Sequence, residues 1–241
     1  MASYNTAEAT ELCVRSMREH AGYPFQLTVG DGGSSDGTLE RLRSMEARGW
    51  LRLEVAPSGR QHAEWLDDWR RRWDADLAVF VDSDVEFRGR GWLRDLVAAA
   101  HLRQAALVCS ELLPECPNFI EPVAGRSVRG TARPAPWLLM VDTRSTASVP
   151  VGFGFHKVET DAVPEGMVIW EVGGRFFEHV RASGLPWVVM PASYRRKFHH
   201  YGGLSWIPLD GERGRKKLRD LSTVRRHVER YRRLEGGRAA T

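Results

Sequence analysis

Hydrophobic positions along this chain follow two patterns, one typical of helices and one typical of strands. Apolar residues three or four positions apart predict helices, and short alternating or continuous apolar runs predict strands. The first predicted helix follows Asn5, which is expected to form a capping box with Glu8. The predicted strands are 25–29, 50–55, 77–81, 106–109, 137–141 and 187–190, and the further helices cover about 36–48, 61–73, 92–100 and 172–183.

Alternation of strands and helices predicts an α/β fold, with a mostly parallel central sheet and flanking helices. Such sheets bind ligands beyond the carboxyl ends of their strands. Asp31 follows one predicted strand, and Asp82 and Asp84 follow another. We therefore expect the two acidic loops to share one rim of the sheet.

Residues 114–136 are rich in Pro, Gly and Arg and are predicted to form a long loop.

The composition is that of a soluble globular protein. The chain has 241 residues, of which 42% are hydrophobic and 27% charged, enough for one good-sized domain. Its apolar runs fall short of the roughly 18–20 residues that span a bilayer. The first residues lack the basic and apolar regions of a signal peptide. Three cysteines without metal spacing are expected to be reduced thiols, which predicts a cytoplasmic protein.

Basic residues are concentrated near the C-terminus, between Arg213 and Arg238, whereas the whole chain has a net charge of +4. We expect residues 211–241 to form a basic helix and tail. The favoured interpretation is a solvated helix whose apolar residues face the protein: Leu218, Leu221, Val224 and Val228. The alternative is attraction to an anionic surface, either membrane or nucleic acid.

The pair Asp82 and Asp84 ends the apolar run of residues 77–81. Carboxylates at a strand end are hard oxygen ligands, so a divalent cation and a phosphate can meet there. Because an Asp-x-Asp pair is common by chance, its context has to support this interpretation.

Three segments together resemble the family 2 glycosyltransferases of the GT-A (Rossmann-like) fold. They are Ser3-Tyr4-Asn5-Thr6, then Gly30-Asp31-Gly32-Gly33-Ser34-Ser35-Asp36-Gly37-Thr38, then Val81-Asp82-Ser83-Asp84. Weaker similarity continues at Trp170-Glu171 and at His200-Tyr201-Gly202-Gly203. The resemblance implies sugar transfer from a nucleotide diphosphate sugar to an acceptor hydroxyl. It also implies a single GT-A domain over 1–210, with a nucleotide-sugar-binding half at 1–110 and an acceptor-binding half at 111–210.

The same resemblance assigns roles to residues of the first half. Asp31 is expected to hold the base or ribose, although a residue that only orders the Gly-rich turn would look the same. Tyr4, Asp82 and Ser83 are expected to contact the nucleotide sugar, with Asp82 near both ribose and metal. Asp84 is expected to bind Mn²⁺ or Mg²⁺ directly, and the cation neutralises the leaving diphosphate.

Residues of the second half receive roles by weaker similarity. His200 is expected at the metal or diphosphate, with His199 as the alternative ligand. Glu171 is the expected general base of an inverting reaction, with Asp161 and Glu165 in reserve, although an acid at a helix start is also favoured by the helix dipole. Three tryptophans can stack on a sugar or belong to the core: Trp137, Trp170 and Trp206.

Three departures from the family pattern keep other functions open. The family's first strand, which would precede Ser3, is expected to be missing, or the start site of the chain has been placed late. Gly32 replaces an Asp or Asn of the family, and Val172 replaces a second acidic residue. One alternative is a sugar-phosphate nucleotidyltransferase, although its Gly-rich basic loop is not visible. Another is a non-catalytic nucleotide- or sugar-binding relative.

The expected partners are a nucleotide diphosphate sugar and an acceptor that is a small molecule, a glycan or a lipid-linked molecule. No nucleic acid is expected, and the basic C-terminus predicts at most a weak contact with a membrane surface.

Overall fold

Helices and strands alternate through the first half of the chain, as the sequence predicts. The computed structural model describes residues 1–56, 59–72, 75–120, 127–205 and 207–239. Its helices are α1 (Ala7–His20), α2 (Thr38–Ala47), α3 (His62–Arg72), α4 (Trp92–Arg103), α5 (Gly174–Ala182) and α6 (Gly211–Ala239), with a 3₁₀ helix at Ala192–Lys197. Its strands are β1 (Ala2–Ser3), β2 (Thr28–Asp31), β3 (Arg52–Val55), β4 (Leu77–Val81), β5 (Val85–Phe87), β6 (Leu107–Cys109), β7 (Leu112–Leu113), β8 (Cys116–Ile120), β9 (Ser127–Gly130), β10 (Arg133–Pro134), β11 (Leu138–Asp142), β12 (His156–Glu159), β13 (Met167–Trp170), β14 (Trp187–Val189) and β15 (Phe198–His200).

The prediction of a long loop over 114–136 is wrong. Strands β8, β9 and β10 lie within it. β8 and β9 form an antiparallel pair, and β9 pairs in parallel with β13. β10 pairs with β7. Strand formation here comes from these pairings, which override the low strand propensity of Pro and Gly.

The chain folds into two compact units, each built from separate segments of the sequence. The first contains Met1–Arg60, Val81–Arg94 and Ser193–Thr241, and the second contains Gln61–Phe80 and Asp95–Ala192. In the first unit, β1, β2 and β3 form a parallel sheet in that order. The strand that the sequence analysis expects to be missing is thus represented by two residues, Ala2 and Ser3, which align with Gly30 and Asp31.

Helix α6 packs on α1 in the first unit. Val224 and Val228 are buried in a cluster with Ala9 and Leu12, and Leu221 packs against its edge. Leu218, in contrast, is 50% exposed, so only part of the predicted apolar face contacts the protein. The favoured interpretation of the basic C-terminal segment as a helix packed on the protein is therefore supported.

The second unit contains two mixed sheets. One has the strand order β14-β6-β11-β4, in which β14 is parallel and β11 antiparallel to β6. The other has the order β12-β13-β9-β8, and β12 is antiparallel to β13. Among the helices in the described part of the chain, none combines the length and apolarity needed to cross a membrane.

Candidate functional site

Hydrogen bonds join the three sequence segments of the first unit. The Asn5 N–H donates to Ser34 Oγ over 2.9 Å, and the Ser35 N–H donates to Asn5 Oδ1 over 2.8 Å. The hydroxyl groups of Thr6 and Ser83 lie 3.1 Å apart. The loops after β1, β2 and β4 therefore meet. They do not share the rim of one sheet as predicted, because β4 belongs to a different sheet from β1 and β2.

Asp36 caps helix α1 from another loop. Its Oδ2 atom accepts from the N–H of Ala7 at 3.1 Å, while its Oδ1 accepts from the N–H of Thr38 at 3.1 Å. The predicted capping role of Asn5 is wrong, because Thr6 occupies the cap position and Asn5 has a φ of 50°. A carboxylate at this helix start is favoured by the dipole and also fixes the loop that follows β2.

The two carboxylate oxygens of Asp31 have different surroundings. The side chain is fully buried, and its Oδ1 accepts from the N–H groups of Gly33 at 3.1 Å and Ser34 at 3.0 Å. Its Oδ2 is buried without a hydrogen-bond partner in the described residues. Leaving such an acceptor unsatisfied costs roughly 1–3 kcal/mol or more for a charged group. Asp31 thus orders the turn with one oxygen, while its other oxygen has no donor among the described residues.

Gly32 has a steric reason for departing from the family pattern. A Cβ atom there would lie 3.0 Å from the carbonyl oxygen of Arg60 and 3.7 Å from that of Ser3. The Gly32 N–H donates to the same Ser3 oxygen over 3.0 Å. A side chain at this position would therefore require the Arg60 backbone to shift by a few tenths of an ångström. The neighbouring Tyr4 is half exposed.

Asp82, Asp84 and His200 form a cluster. The Nε2 atom of His200 lies 3.2 Å from Oδ1 of Asp84 and 3.8 Å from Oδ2 of Asp82. One ligand atom from each residue lies within 4.8 Å of the others. Carboxylate oxygens suit Mg²⁺ and Mn²⁺, and imidazole is a common ligand of transition metals, so the donor set fits a divalent cation.

Strand pairing decides which of the two histidines joins the cluster. β15 runs antiparallel to β5, and it aligns His200 with Val85 and His199 with Glu86. Because successive side chains of a strand point to opposite faces, His199 faces away from the cluster. Its ring instead lies edge-on to Tyr201, with centroids 4.5 Å apart. Of the two histidines, His200 is therefore the one beside the two carboxylates.

Burial and the acidic neighbours have opposite effects on His200. Burial lowers the pKa of its imidazole, but the hydrogen bond and charge of Asp84, with the charge of Asp82, outweigh it and raise the pKa. The ring is therefore attracted to the two carboxylates. A metal ion that binds through this nitrogen has to displace its proton.

The loop after His200 wraps around Asp84. The N–H of Tyr201 donates to the Asp84 carbonyl oxygen over 3.0 Å, and the N–H of Leu204 approaches Asp84 Oδ2 at 3.4 Å. Gly202 and Gly203 have φ values of 70° and 74°, a left-handed conformation that favours glycine. The Gly-Gly pair therefore lets the chain turn back over the carboxylate.

A buried carboxylate behind this cluster was missed by the sequence analysis. Glu86 Oε2 accepts from Arg88 Nη2 at 2.7 Å and from the Tyr201 hydroxyl at 2.9 Å. Its Oε1 lies 2.8 Å from Nδ1 of His227, which belongs to α6. Burial and the charge of Glu86 raise the pKa of Tyr201. The network connects α6 to β5, which begins directly after Asp84, and to Tyr201, which follows His200. Its partners are too far apart in sequence for a motif to reveal it.

Glu171 lies in the second unit, directly after β13. Nε of Arg133 donates to Oε2 of Glu171 over 3.0 Å, and the two side chains are 14% and 28% exposed. The Nη1 atom of Arg133 is buried without a hydrogen-bond partner in the described residues. Helix α5 begins three residues after Glu171, at Gly174. Arg133 was not predicted, since an isolated arginine in a Pro- and Gly-rich segment has no signal in sequence.

The other candidates of the second unit have varied surroundings. Glu165 forms an ion pair with Arg129 at 3.1 Å. Asp161 and Glu165 both line a cavity of about 460 Å³. Nε1 of Trp170 donates to Glu178 over 2.9 Å. Trp137 is half-buried, and Trp206 lies outside the described residues.

Comparison with known proteins identifies the family. The model of the family "Glycosyl transferase family 2" matches residues 1–122, half of the chain. The chain belongs to the family 2 glycosyltransferases, which confirms the resemblance seen in the three segments. No curated protein matches the sequence.

Solved structures show that the chain has the GT-A fold. A mannosyltransferase from Pyrobaculum calidifontis, in complex with GDP-Man and Mn²⁺, is 18% identical with a TM-score of 0.55, and the match covers 79% of this chain and 53% of that one. Glucosyl-3-phosphoglycerate synthase from Mycobacterium tuberculosis, in complex with phosphoglyceric acid, is 19% identical with a TM-score of 0.51, and the match covers 95% and 78%. The chain thus spans about half the length of the mannosyltransferase.

Proposed function

We propose that this protein transfers a sugar from a nucleotide diphosphate sugar to an acceptor hydroxyl, with a divalent cation held by Asp82, Asp84 and His200. The main support is the convergence of their ligand atoms within 4.8 Å. The similar mannosyltransferase was solved with GDP-Man and Mn²⁺, which supports the same ligand classes here. We propose Mn²⁺ over Mg²⁺ because the site includes an imidazole nitrogen.

The donor is proposed to bind across the loops that follow β1, β2 and β4. Asp31 accepts a hydrogen bond from the base or ribose through its buried Oδ2, which has no described partner. Tyr4 and Ser83 contact the nucleotide sugar, and Asp82 lies between ribose and cation. The cation supplies a positive charge that neutralises the diphosphate as it leaves.

The transfer step is proposed to invert the anomeric centre. Glu171 takes the proton of the acceptor hydroxyl, whose oxygen forms a bond to the anomeric carbon. The bond from that carbon to the diphosphate oxygen breaks, and its electron pair stays on the nucleotide diphosphate. Arg133 holds Glu171 through its ion pair, so it is a positioning residue. Asp161 and Glu165 remain the alternative bases.

The acceptor is proposed to bind residues of the 111–210 half, as the nucleotide sugar binds the 1–110 half. Of the three candidate tryptophans, Trp137 and Trp170 lie in the described residues and are proposed to stack on a sugar or an aromatic acceptor there. The acceptor class stays open between a small molecule, a glycan and a lipid-linked molecule. Membership of the family favours sugar transfer over the nucleotidyltransferase reaction. Absence of sugar transfer in an activity assay would favour the non-catalytic relative.

The test is a thermal-shift screen of nucleotide diphosphates and their sugars, with and without Mn²⁺. A ligand that binds the folded protein raises its melting temperature. At a concentration one hundred times its Kd, the ligand increases the free energy of unfolding by roughly 2.7 kcal/mol. We expect a nucleotide that stabilises the protein only with Mn²⁺, followed by slow hydrolysis of the matching donor sugar. Binding without hydrolysis would favour the non-catalytic alternative, and release of pyrophosphate from a nucleoside triphosphate would favour the nucleotidyltransferase.

A further inference from the structure

Five exposed arginines form a stripe along the outer face of α6. They follow one another at spacings of four, seven, four and three residues and are Arg215, Arg219, Arg226, Arg230 and Arg233. At 3.6 residues per turn, these spacings place all five within an arc of about 60°. With a rise of 1.5 Å per residue, the stripe is about 27 Å long.

The stripe faces away from the protein. Val224 and Val228 are 0% and 2% exposed and fix the opposite side of α6 against α1. By the same helical geometry, the centre of the stripe lies about 180° from these two valines. Four of the arginines therefore point outward from a helix whose orientation is set by its packed face. Arg230, at the edge of the arc, also lines a cavity of about 650 Å³ beside α1 with Glu19.

The basic residues of α6 differ in their partners. On the flanks nearer the protein, Arg225 pairs with Glu8 at 2.9 Å, Arg232 with Glu11 at 2.5 Å and Lys216 with Asp220 at 2.5 Å. None of the five stripe arginines makes an ion pair with a described residue. Within the described helix, Glu212 in the first turn is the acidic residue that shares their arc. Glu229 lies about 40° outside the arc, three residues after Arg226 and four before Arg233. Five arginines against these two acids leave the stripe with a net positive charge.

The surroundings of the stripe favour a flat partner that carries phosphates. Leu218 and Leu234, 50% and 52% exposed, flank the stripe on either side. The tyrosine of α6, Tyr231, packs against the buried cluster instead of facing outward to stack on a base. Guanidinium groups bind phosphate oxygens in pairs, and exposed leucines enter the headgroup region of a bilayer.

We propose that the outer face of α6 binds the surface of a bilayer that contains anionic phospholipids. The stripe is the contact, and the leucines on its flanks add apolar insertion. Each arginine near such a surface strengthens binding by about fivefold, so the partition coefficient depends steeply on the number of stripe arginines. The contact weakens with salt, because the Debye length shrinks from roughly 10 Å at 0.1 M to 3 Å at 1 M.

The test is sedimentation of the full chain with vesicles of phosphatidylcholine, alone or mixed with phosphatidylglycerol, without nucleotide sugar. The test variant is R215Q/R219Q/R226Q. The control variant, R43Q/R52Q/R103Q, removes the same charge from exposed arginines elsewhere. We expect the native chain to bind the mixed vesicles, the control to bind nearly as well, and the test variant to lose on the order of a hundredfold in partitioning.

Three results would overturn the proposal. The first is a native chain that fails to bind mixed vesicles at low salt. The second is an equal loss of binding in both variants, which would show that net charge and not the stripe determines binding. Tighter binding to a DNA duplex than to the vesicles at the same salt would assign the stripe to nucleic acid. Equal melting temperatures of the three proteins serve as the control for folding.

Discussion

Nε2 of His200 lies 3.2 Å from Oδ1 of Asp84, although 116 positions separate the two residues in the sequence. The antiparallel pairing of β15 with β5 places them together, and the same pairing turns His199 to the other face. The two neighbouring histidines therefore form a matched pair for testing the metal site.

Replacing His200 should weaken Mn²⁺ binding, whereas replacing His199 should not. We expect at least about a tenfold rise in the Kd for Mn²⁺ in His200→Ala, since even second-shell changes cost 10–100-fold. Titration calorimetry with Mn²⁺ measures this, with His199→Gln as the control. Equal affinities of His200→Ala and the native protein would remove His200 from the proposed ligand set.

Replacing Asp31 by Asn should weaken nucleotide binding without unfolding the turn. The amide oxygen can still accept from the N–H groups of Gly33 and Ser34, but the buried Oδ2 acceptor becomes a donor. Because a hydrogen bond to a charged group contributes about 1.5–3 kcal/mol, we expect an increase of about 10- to 100-fold in Kd. Calorimetry with the nucleotide diphosphate from the thermal-shift screen measures it. Unchanged affinity would limit Asp31 to ordering the loop.

Replacing Glu171 by Gln should lower kcat and leave donor binding intact. General base catalysis contributes typically 10²–10⁴-fold, so we expect a loss in about that range. The matched variant is Glu165→Gln, which removes a reserve candidate of the same second unit. Initial rates and donor Kd values are compared for both. A larger loss of kcat in Glu165→Gln would transfer the role of base to Glu165.

Glu11 should be a major contributor to the stability of the first unit. Its side chain is 3% exposed and pairs with Arg15 at 2.9 Å, Arg232 at 2.5 Å and also Arg41. Removing one member of a buried ion cluster costs roughly 3–5 kcal/mol, so Glu11→Gln should lower the free energy of unfolding by about that amount. The control is Glu8→Gln, whose partner Arg225 is 62% exposed, with an expected cost below about 1 kcal/mol. Urea denaturation that gives equal losses for the two variants would contradict this.

The ion pairs of Glu11 with its three arginine partners predict that stability depends on pH. Burial raises the pKa of Glu11, but the hydrogen bonds from Arg232, Arg41 and Arg15 outweigh it and lower the pKa below its usual value. A lowered folded-state pKa contributes stability above the unfolded value of about 4.3 and loses it as pH falls through the folded value. The native protein should therefore lose stability below about pH 4 more steeply than Glu11→Gln. Parallel acid profiles for the two proteins would show that Glu11 is not responsible.

The sequence allowed the α/β fold to be predicted, because apolar periodicity is a local signal, whereas the roles of the site residues stay predictions. Apolar runs mark β2 and β4, and Asp31, Asp82 and Asp84 follow their ends. The strands within 114–136 were missed because they are stabilised by pairing, of β8 with β9, β9 with β13 and β10 with β7, which the composition of the segment does not reveal. Glu86 and Arg133 were missed for a similar reason, since their roles arise from contacts with residues far away in sequence.

The central claim is that the cluster of Asp82, Asp84 and His200 binds a divalent cation that sugar transfer requires. The most direct test measures transfer in metal-depleted protein as Mn²⁺ is added back, for the native chain, Asp84→Asn and the exposed control Asp76→Asn. We expect Mn²⁺ to restore the native chain and the control. Asp84→Asn should stay slower by at least about a hundredfold, because the metal supplies several kcal/mol of charge stabilisation. Transfer by Asp84→Asn at the native rate, or native transfer that is equally fast without metal, would contradict the claim.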